Sequence, residues 1–139
     1  MRNLKILFAC MLVLTLLACH RLSRDESNAW LVQKTGRVTV NMTGNWNAGG
    51  VWSGGWGGAT FVQEGRRFSG TMGMYYVDGV VSGNNLYLAL YSGNKVYYTA
   101  RLKKNGKNSY IGKAVYQQFI DRPGAASAET YVMSLKRMR

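Results

Sequence analysis

Histidine, cysteine, proline and carboxylates are all scarce in this 139-residue chain, which has one histidine, one proline, two cysteines and six acidic residues against 18 lysines and arginines. His20 stands alone, and apart from the neighbours Asp25 and Glu26 the acids are scattered. No nucleophile-base or acid-base pair is visible, so the chain reads as non-enzymatic. No cluster of histidine, cysteine or carboxylate has ligand spacing, so neither a metal nor another cofactor is implied. Both cysteines, Cys10 and Cys19, lie in the first nineteen residues. No disulfide can staple the chain beyond Cys19, and a hydrophobic core must hold the fold.

Long apolar runs are also missing, with one exception. Residues Ile6 to Ala18 are apolar but for Thr15, and Arg2 and Lys5 precede them. A basic start and an apolar stretch of this length are the first two regions of a signal peptide. As a helix the run rises only about 20 Å, well short of the roughly 30 Å hydrocarbon core, so it makes a poor permanent span. It ends Leu16-Leu17-Ala18-Cys19, which resembles the lipobox of bacterial lipoproteins. The resemblance covers the leader alone. It implies a signal peptide over residues 1–18, a diacylglyceryl group on the Cys19 sulfur, cleavage before that residue and acylation, commonly by palmitate, of the new amine. Each buried methylene contributes about 0.8 kcal/mol, so two or three acyl chains make a durable membrane anchor. His20 stands where an aspartate commonly retains lipoproteins in the inner membrane. The expectation is therefore the periplasmic face of the outer membrane, if the host is Gram-negative.

Removal of residues 1–18 takes away two basic residues and no acid, leaving 16 against six and a net charge near +10. Arg66, Arg67, Arg101, Lys103, Lys104 and Lys107 form the candidate anion-binding patch, suited to phospholipid headgroups or anionic envelope polymers. An exported, lipid-anchored chain makes nucleic acid a poor partner.

Residues 19–35 read as a lipidated tether, in which Ser23 and Glu26 form a capping box ahead of a short helix. From Arg37 onward the period is two. Val38, Val40, Met42, Gly44 and Trp46 share one parity, as do Leu86, Leu88 and Leu90, and again Val96, Tyr98, Ala100 and Leu102. Glycine and asparagine pairs near 65, 83, 93 and 105–106 mark tight hairpins. Eight strands result, over 37–46, 51–63, 66–74, 75–82, 85–92, 94–103, 108–118 and 128–137. The expected fold is all-β, an eight-stranded antiparallel up-and-down barrel over 36–139, preceded by a cleaved signal peptide and a short tether. A two-residue turn at Asn105-Gly106 directs Lys113 inward, whereas a loop one residue longer directs it outward.

Gly44-Asn45-Trp46 in the first strand and Lys136-Arg137 in the last resemble the calycin pattern of lipocalins and avidins. That resemblance implies a basic side chain from the final strand stacked on the tryptophan of the first, closing one barrel end. Gly50-Val51-Trp52 is a competing Gly-x-Trp. The glycine-rich stretch from Trp46 through Trp52 to Trp56 is either a stacking platform at the barrel mouth or a plug. Phe61, Phe68, Tyr75, Tyr76, Tyr98, Tyr110, Tyr116 and Tyr131 are candidates to line the interior, around space left by Gly44, Gly70, Gly79, Gly112 and Ala114. The candidate ligand-binding residues are Trp46, Trp52, Trp56, Tyr98 and Tyr116. Two functions compete: a barrel that binds a small hydrophobic ligand, and an interaction protein that uses its basic outer face on anionic envelope polymers or a protein partner.

Overall fold

The computed structural model describes residues 22–50, 55–117 and 130–139. The expected signal peptide, Cys19, His20, Trp52 and the connection that carries Pro123 lie outside the described residues. Among the described residues one helix, α1 (Arg24–Val32), precedes eight strands: β1 (Gly44–Gly49), β2 (Gly57–Glu64), β3 (Arg67–Met72), β4 (Tyr75–Ser82), β5 (Asn85–Ser92), β6 (Lys95–Gly106), β7 (Ser109–Tyr116) and β8 (Thr130–Arg137). Each strand pairs antiparallel with its sequence neighbours, and β1 pairs with β8, so the sheet closes as an up-and-down barrel.

Turn chemistry sets this order. The hairpins from β2 to β6 turn through Gly65-Arg66, Gly73-Met74, Gly83-Asn84 and Gly93-Asn94. In each, the first turn residue is a glycine with φ between 57 and 62°. A two-residue hairpin with glycine first matches the twist of its strands and forces antiparallel neighbours. The last tight turn departs from expectation. Gly106 pairs with Ser109, the ladder shifts between Lys104 and Gly106, and the turn falls at Lys107-Asn108, where Asn108 takes φ 54°. That shift directs Lys113 outward, opposite Arg101.

Inward side chains from all eight strands form one buried cluster around Trp46, Phe61, Phe68, Leu88, Leu102 and Leu135. The embedded glycines do not leave empty space here. Phe61 is paired with Gly44 on one side and Gly70 on the other, and Phe68 is paired with Gly79. A Cβ built on Gly79 would lie 2.2 to 2.7 Å from Phe68 ring atoms. The aromatic therefore occupies the volume that the glycine vacates, at the density of a close-packed interior.

Three expectations need correction. Strand β1 begins at Gly44, not at 37, and residues 34–43 form no ladder. They cross one end of the barrel, and their backbone groups bond to turns and side chains instead of a neighbouring strand. Gly36 N donates to Ser82 Oγ, and Gly83 N donates to Arg37 O. Gln63 donates to Val40 O and accepts from Met42 N. Accordingly Val38 is 51% exposed, although it shares the parity of buried Met42. Second, Val96 is not on the face of Tyr98. Leu90 pairs with Tyr98 but Tyr91 pairs with Val96, which leaves Tyr97 as an extra residue. Such a bulge reverses side-chain direction, and Val96 is buried on the outside with Leu22, Leu31, Val80 and Ala89. Third, Tyr76 is on the outer surface, stacked on Tyr91.

That outer cluster is where α1 docks, so the segment read as a tether is packed against the barrel. Ser23 caps the helix by accepting from Glu26 N, as the capping box predicts. Arg24 grips the β4 carboxylate Asp78 through two hydrogen bonds of 2.9 and 3.2 Å. Leu31 and Ser27 are buried, one helical turn apart.

Replacing Gly79 by alanine should cost about 1 to 3 kcal/mol, because the added methyl overpacks the Phe68 ring. Denaturant unfolding of the variant checks this, and a stability equal to wild type would mean that the ring has free volume to move into.

Candidate functional site

The two barrel ends differ in chemistry. One is sealed. Trp46 is fully buried, and its indole Nε1 donates to Met42 O at 2.8 Å. The Arg137 guanidinium lies 4.3 Å above its ring. Arg137 also donates to Thr43 O at 3.0 Å and to Asn41 O and Asn108 Oδ1. A planar, forked cation suits this place, since its face stacks on the indole while its edge ties three chain segments together. Tyr110 packs beside Trp46 at 6.2 Å, and burial raises its hydroxyl above the ordinary tyrosine value despite the opposing charge of Arg137.

The opposite end is aromatic. Tyr98 is central, with Trp56 at 4.8 Å, Tyr116 at 5.2 Å, Tyr75 at 5.8 Å and Tyr131 at 6.1 Å between ring centroids. Several of these pairs meet edge to face, the arrangement favoured by the ring quadrupole. Trp56 is 7% exposed and donates to Val132 O at 3.1 Å, while the tyrosines are half-buried. Burial, followed by the neighbouring Tyr116 and Tyr97, holds the Tyr75 hydroxyl above its usual pKa. That hydroxyl stays neutral at physiological pH, and the cluster presents ring faces with hydroxyls at their edges.

Of the candidate ligand-binding residues, Trp56, Tyr98 and Tyr116 therefore come together, and Trp46 is apart at the sealed end. Trp52 lies outside the described residues.

The candidate anion patch is divided by α1. On one side, Arg66 donates to Lys34 O at 2.7 Å and Arg67 to Asn28 Oδ1 at 2.8 Å, so both serve to hold the N-terminal segment. On the other side, Arg101 and Lys103 line a groove of about 350 Å³ on the outer face of β6 and β7, joined by Lys113 and by apolar Trp30, Ile111 and Val115. Asn85 lies in the same wall, and its Oδ1 is buried without a hydrogen-bond partner. Lys104 and Lys107 are exposed at the β6-β7 hairpin. Among the described residues that line the groove there is no carboxylate, so its walls carry positive charge alone. Like charges directly opposite, as with Arg101 and Lys113, repel unless an anion sits between them.

Two residues that shape these sites carry no local signal in the sequence. Gln63 reads as a polar residue in a strand, and nothing nearby in the chain shows that its amide substitutes for a strand partner. Trp30 belongs to the groove only because α1 docks there.

No family model matches the chain, and neither a curated protein nor a solved structure is matched by it.

Two measurements probe these ends. Arg137→Ala should lose roughly 1 to 3 kcal/mol of stability, and Arg137→Lys should recover only part of it, because lysine retains the charge but not the fork. Equal stability of the lysine variant and wild type would show that charge alone suffices. Tyr75, Tyr91 and Tyr110 are all raised, with burial the largest cause. At high pH the folded state therefore binds more protons than the unfolded chain. Their contribution is complete below about pH 10 and is lost as pH rises through the folded values. Phenolate absorbance should rise at higher pH in the native protein than in denaturant, and coincident curves would contradict this.

Proposed function

We propose that this chain is a lipid-anchored envelope protein, acylated at Cys19 after removal of residues 1–18, whose barrel is a non-enzymatic recognition module. It takes a small hydrophobic or amphipathic molecule at its aromatic end. The observation that carries this reading is the convergence of Trp56, Tyr75, Tyr116 and Tyr131 on Tyr98, at the end opposite the Trp46 and Arg137 seal. The packed interior argues that ligand is held at the mouth and not deep inside. Aromatic faces with hydroxyl edges suit an amphipathic molecule, binding its apolar part by stacking and its polar part by hydrogen bonds. The stack of Arg137 on Trp46 supports the resemblance to calycins, and the leader motif supports the anchor and, in a Gram-negative host, the outer membrane.

A second reading rests on the outer groove. Arg101, Lys103 and Lys113 beside Trp30 and Ile111 offer paired cations and an apolar wall to an anionic polymer or to a protein partner. Glutamate at all three positions would then abolish retention on anionic envelope polymer, and undiminished retention would dismiss this reading.

Native mass spectrometry of protein extracted from its own membrane tests the first reading. Wild type should carry a small molecule that Tyr98→Ala loses. A ligand-free wild type, or equal occupancy in the variant, would reject it. Cys19→Ser should abolish incorporation of labelled palmitate.

A further inference from the structure

We infer that the aromatic end of the barrel is the face that rests on the bilayer holding the anchor, while the sealed, basic end projects into the aqueous compartment. This rests on the acylation of Cys19 proposed for the chain. The structure supplies the direction. Leu22 O accepts from Val96 N at 3.1 Å, and Arg24 N donates to Asn94 O at 3.2 Å. The chain thus enters the fold beside the β5-β6 turn, which belongs to the aromatic end. From there α1 runs along the outside toward the opposite end, where the Lys34 carbonyl meets Arg66. Cys19 precedes Leu22 by three residues, a reach of at most about 10 Å. Eight-residue strands tilted as in a barrel stand about 20 Å tall. An anchor on so short a leash keeps the aromatic end near the membrane and holds the sealed end away from it.

The surface chemistry of the two ends agrees with this placement. Met74, at the tip of the β3-β4 turn on the aromatic end, is 83% exposed, and Tyr76 on the same rim is 55% exposed. An exposed methionine on a turn tip beside tyrosines is costly toward water but suited to the headgroup boundary, where tyrosine and tryptophan place their rings apolar side down and hydroxyl or N–H toward water. Strand ends and turns place Arg66, Lys104, Lys107, Lys136 and Arg137 at the sealed end, whereas the aromatic end has Lys95 and, at the start of α1, Arg24, Asp25 and Glu26, two charges of each sign that cancel. Membrane contact through the aromatic end is therefore apolar and insensitive to salt. It also places the Tyr98 cluster where an amphipathic molecule can pass from the bilayer without crossing water.

The test uses the protein processed and acylated from its full precursor and placed in vesicles of phosphatidylethanolamine and phosphatidylglycerol. With Cys10 removed and Cys19 blocked by its diacylglyceryl group, Met74→Cys, Tyr76→Cys and Asn84→Cys each give one labelling site for a polarity-sensitive fluorophore. The first two are on the aromatic rim, and the third is in the β4-β5 turn at the other end. Labels at 74 and 76 should shift to the blue and lose about half or more of their emission to a lipid-borne quencher, in low and high salt alike, while the label at 84 does neither. Acylated protein whose 74 and 76 labels remain in water, or whose 84 label is quenched as strongly, overturns the orientation and leaves the anchor standing. Release of the rim labels by salt overturns the apolar contact. Absence of an acyl group on Cys19, read from the mass of the N-terminal peptide, removes the anchor and the orientation together.

Discussion

Four residue pairs, from Trp46 with Arg137 to Gly49 with Ser134, join the first strand to the last, and most of the molecule's properties derive from that closure. A closed sheet has no edge to protect, so a chain with no disulfide after Cys19 avoids the usual hazard of exposed strand edges. Closure also encloses an interior of limited width that side chains must fill. Pairing Phe68 with Gly79 helps to fill it, the ring occupying the space of the missing side chain. The same seam puts Arg137 next to Trp46, so the residue pair that completes the barrel also seals one end of it.

The bulge at Tyr97 has consequences of another kind. By turning Val96 outward it extends an apolar patch over Val80 and Ala89, and α1 covers that patch with Leu22 and Leu31. Asp78, only 4% exposed, then finds its charge partner in Arg24. Docking of α1 splits the basic surface into Arg66 and Arg67, spent on holding the N-terminal segment, and Arg101, Lys103 and Lys113, which line an open groove. One extra residue in one strand thus decides which cations remain available to an anion.

The outcome is a barrel with polarity along its axis. Trp56, Tyr75, Tyr98, Tyr116 and Tyr131 gather at the end where the chain enters, and Arg66, Lys104, Lys107, Lys136 and Arg137 at the end where residues 36–43 cross. A molecule with unlike ends can meet two environments at once, an apolar boundary and an aqueous space.

Much of this was legible in the sequence because it is local. Alternation of apolar residues reports which faces are dry, since successive side chains in a strand must point oppositely. Glycine at the first position of a two-residue turn dictates hairpins, and with them the order of strands β2 to β6. Ser23 and Glu26 mark a helix start three residues apart. What depends on residues far apart in the chain was not legible. The fate of 36–43 turns on Gln63 and Arg137, the face taken by Val96 on a bulge, the direction of Lys113 on where β6 turns, and the division of the basic patch on α1. Side-chain period and turn residues are enough to set the number of strands and their antiparallel order, and composition alone sets the scarcity of histidine, cysteine and carboxylate, because each of these is a local property of the chain. The tertiary structure alone decided which end is sealed, which rings meet and which cations face solvent, because each requires packing between elements that no short stretch of chain encodes.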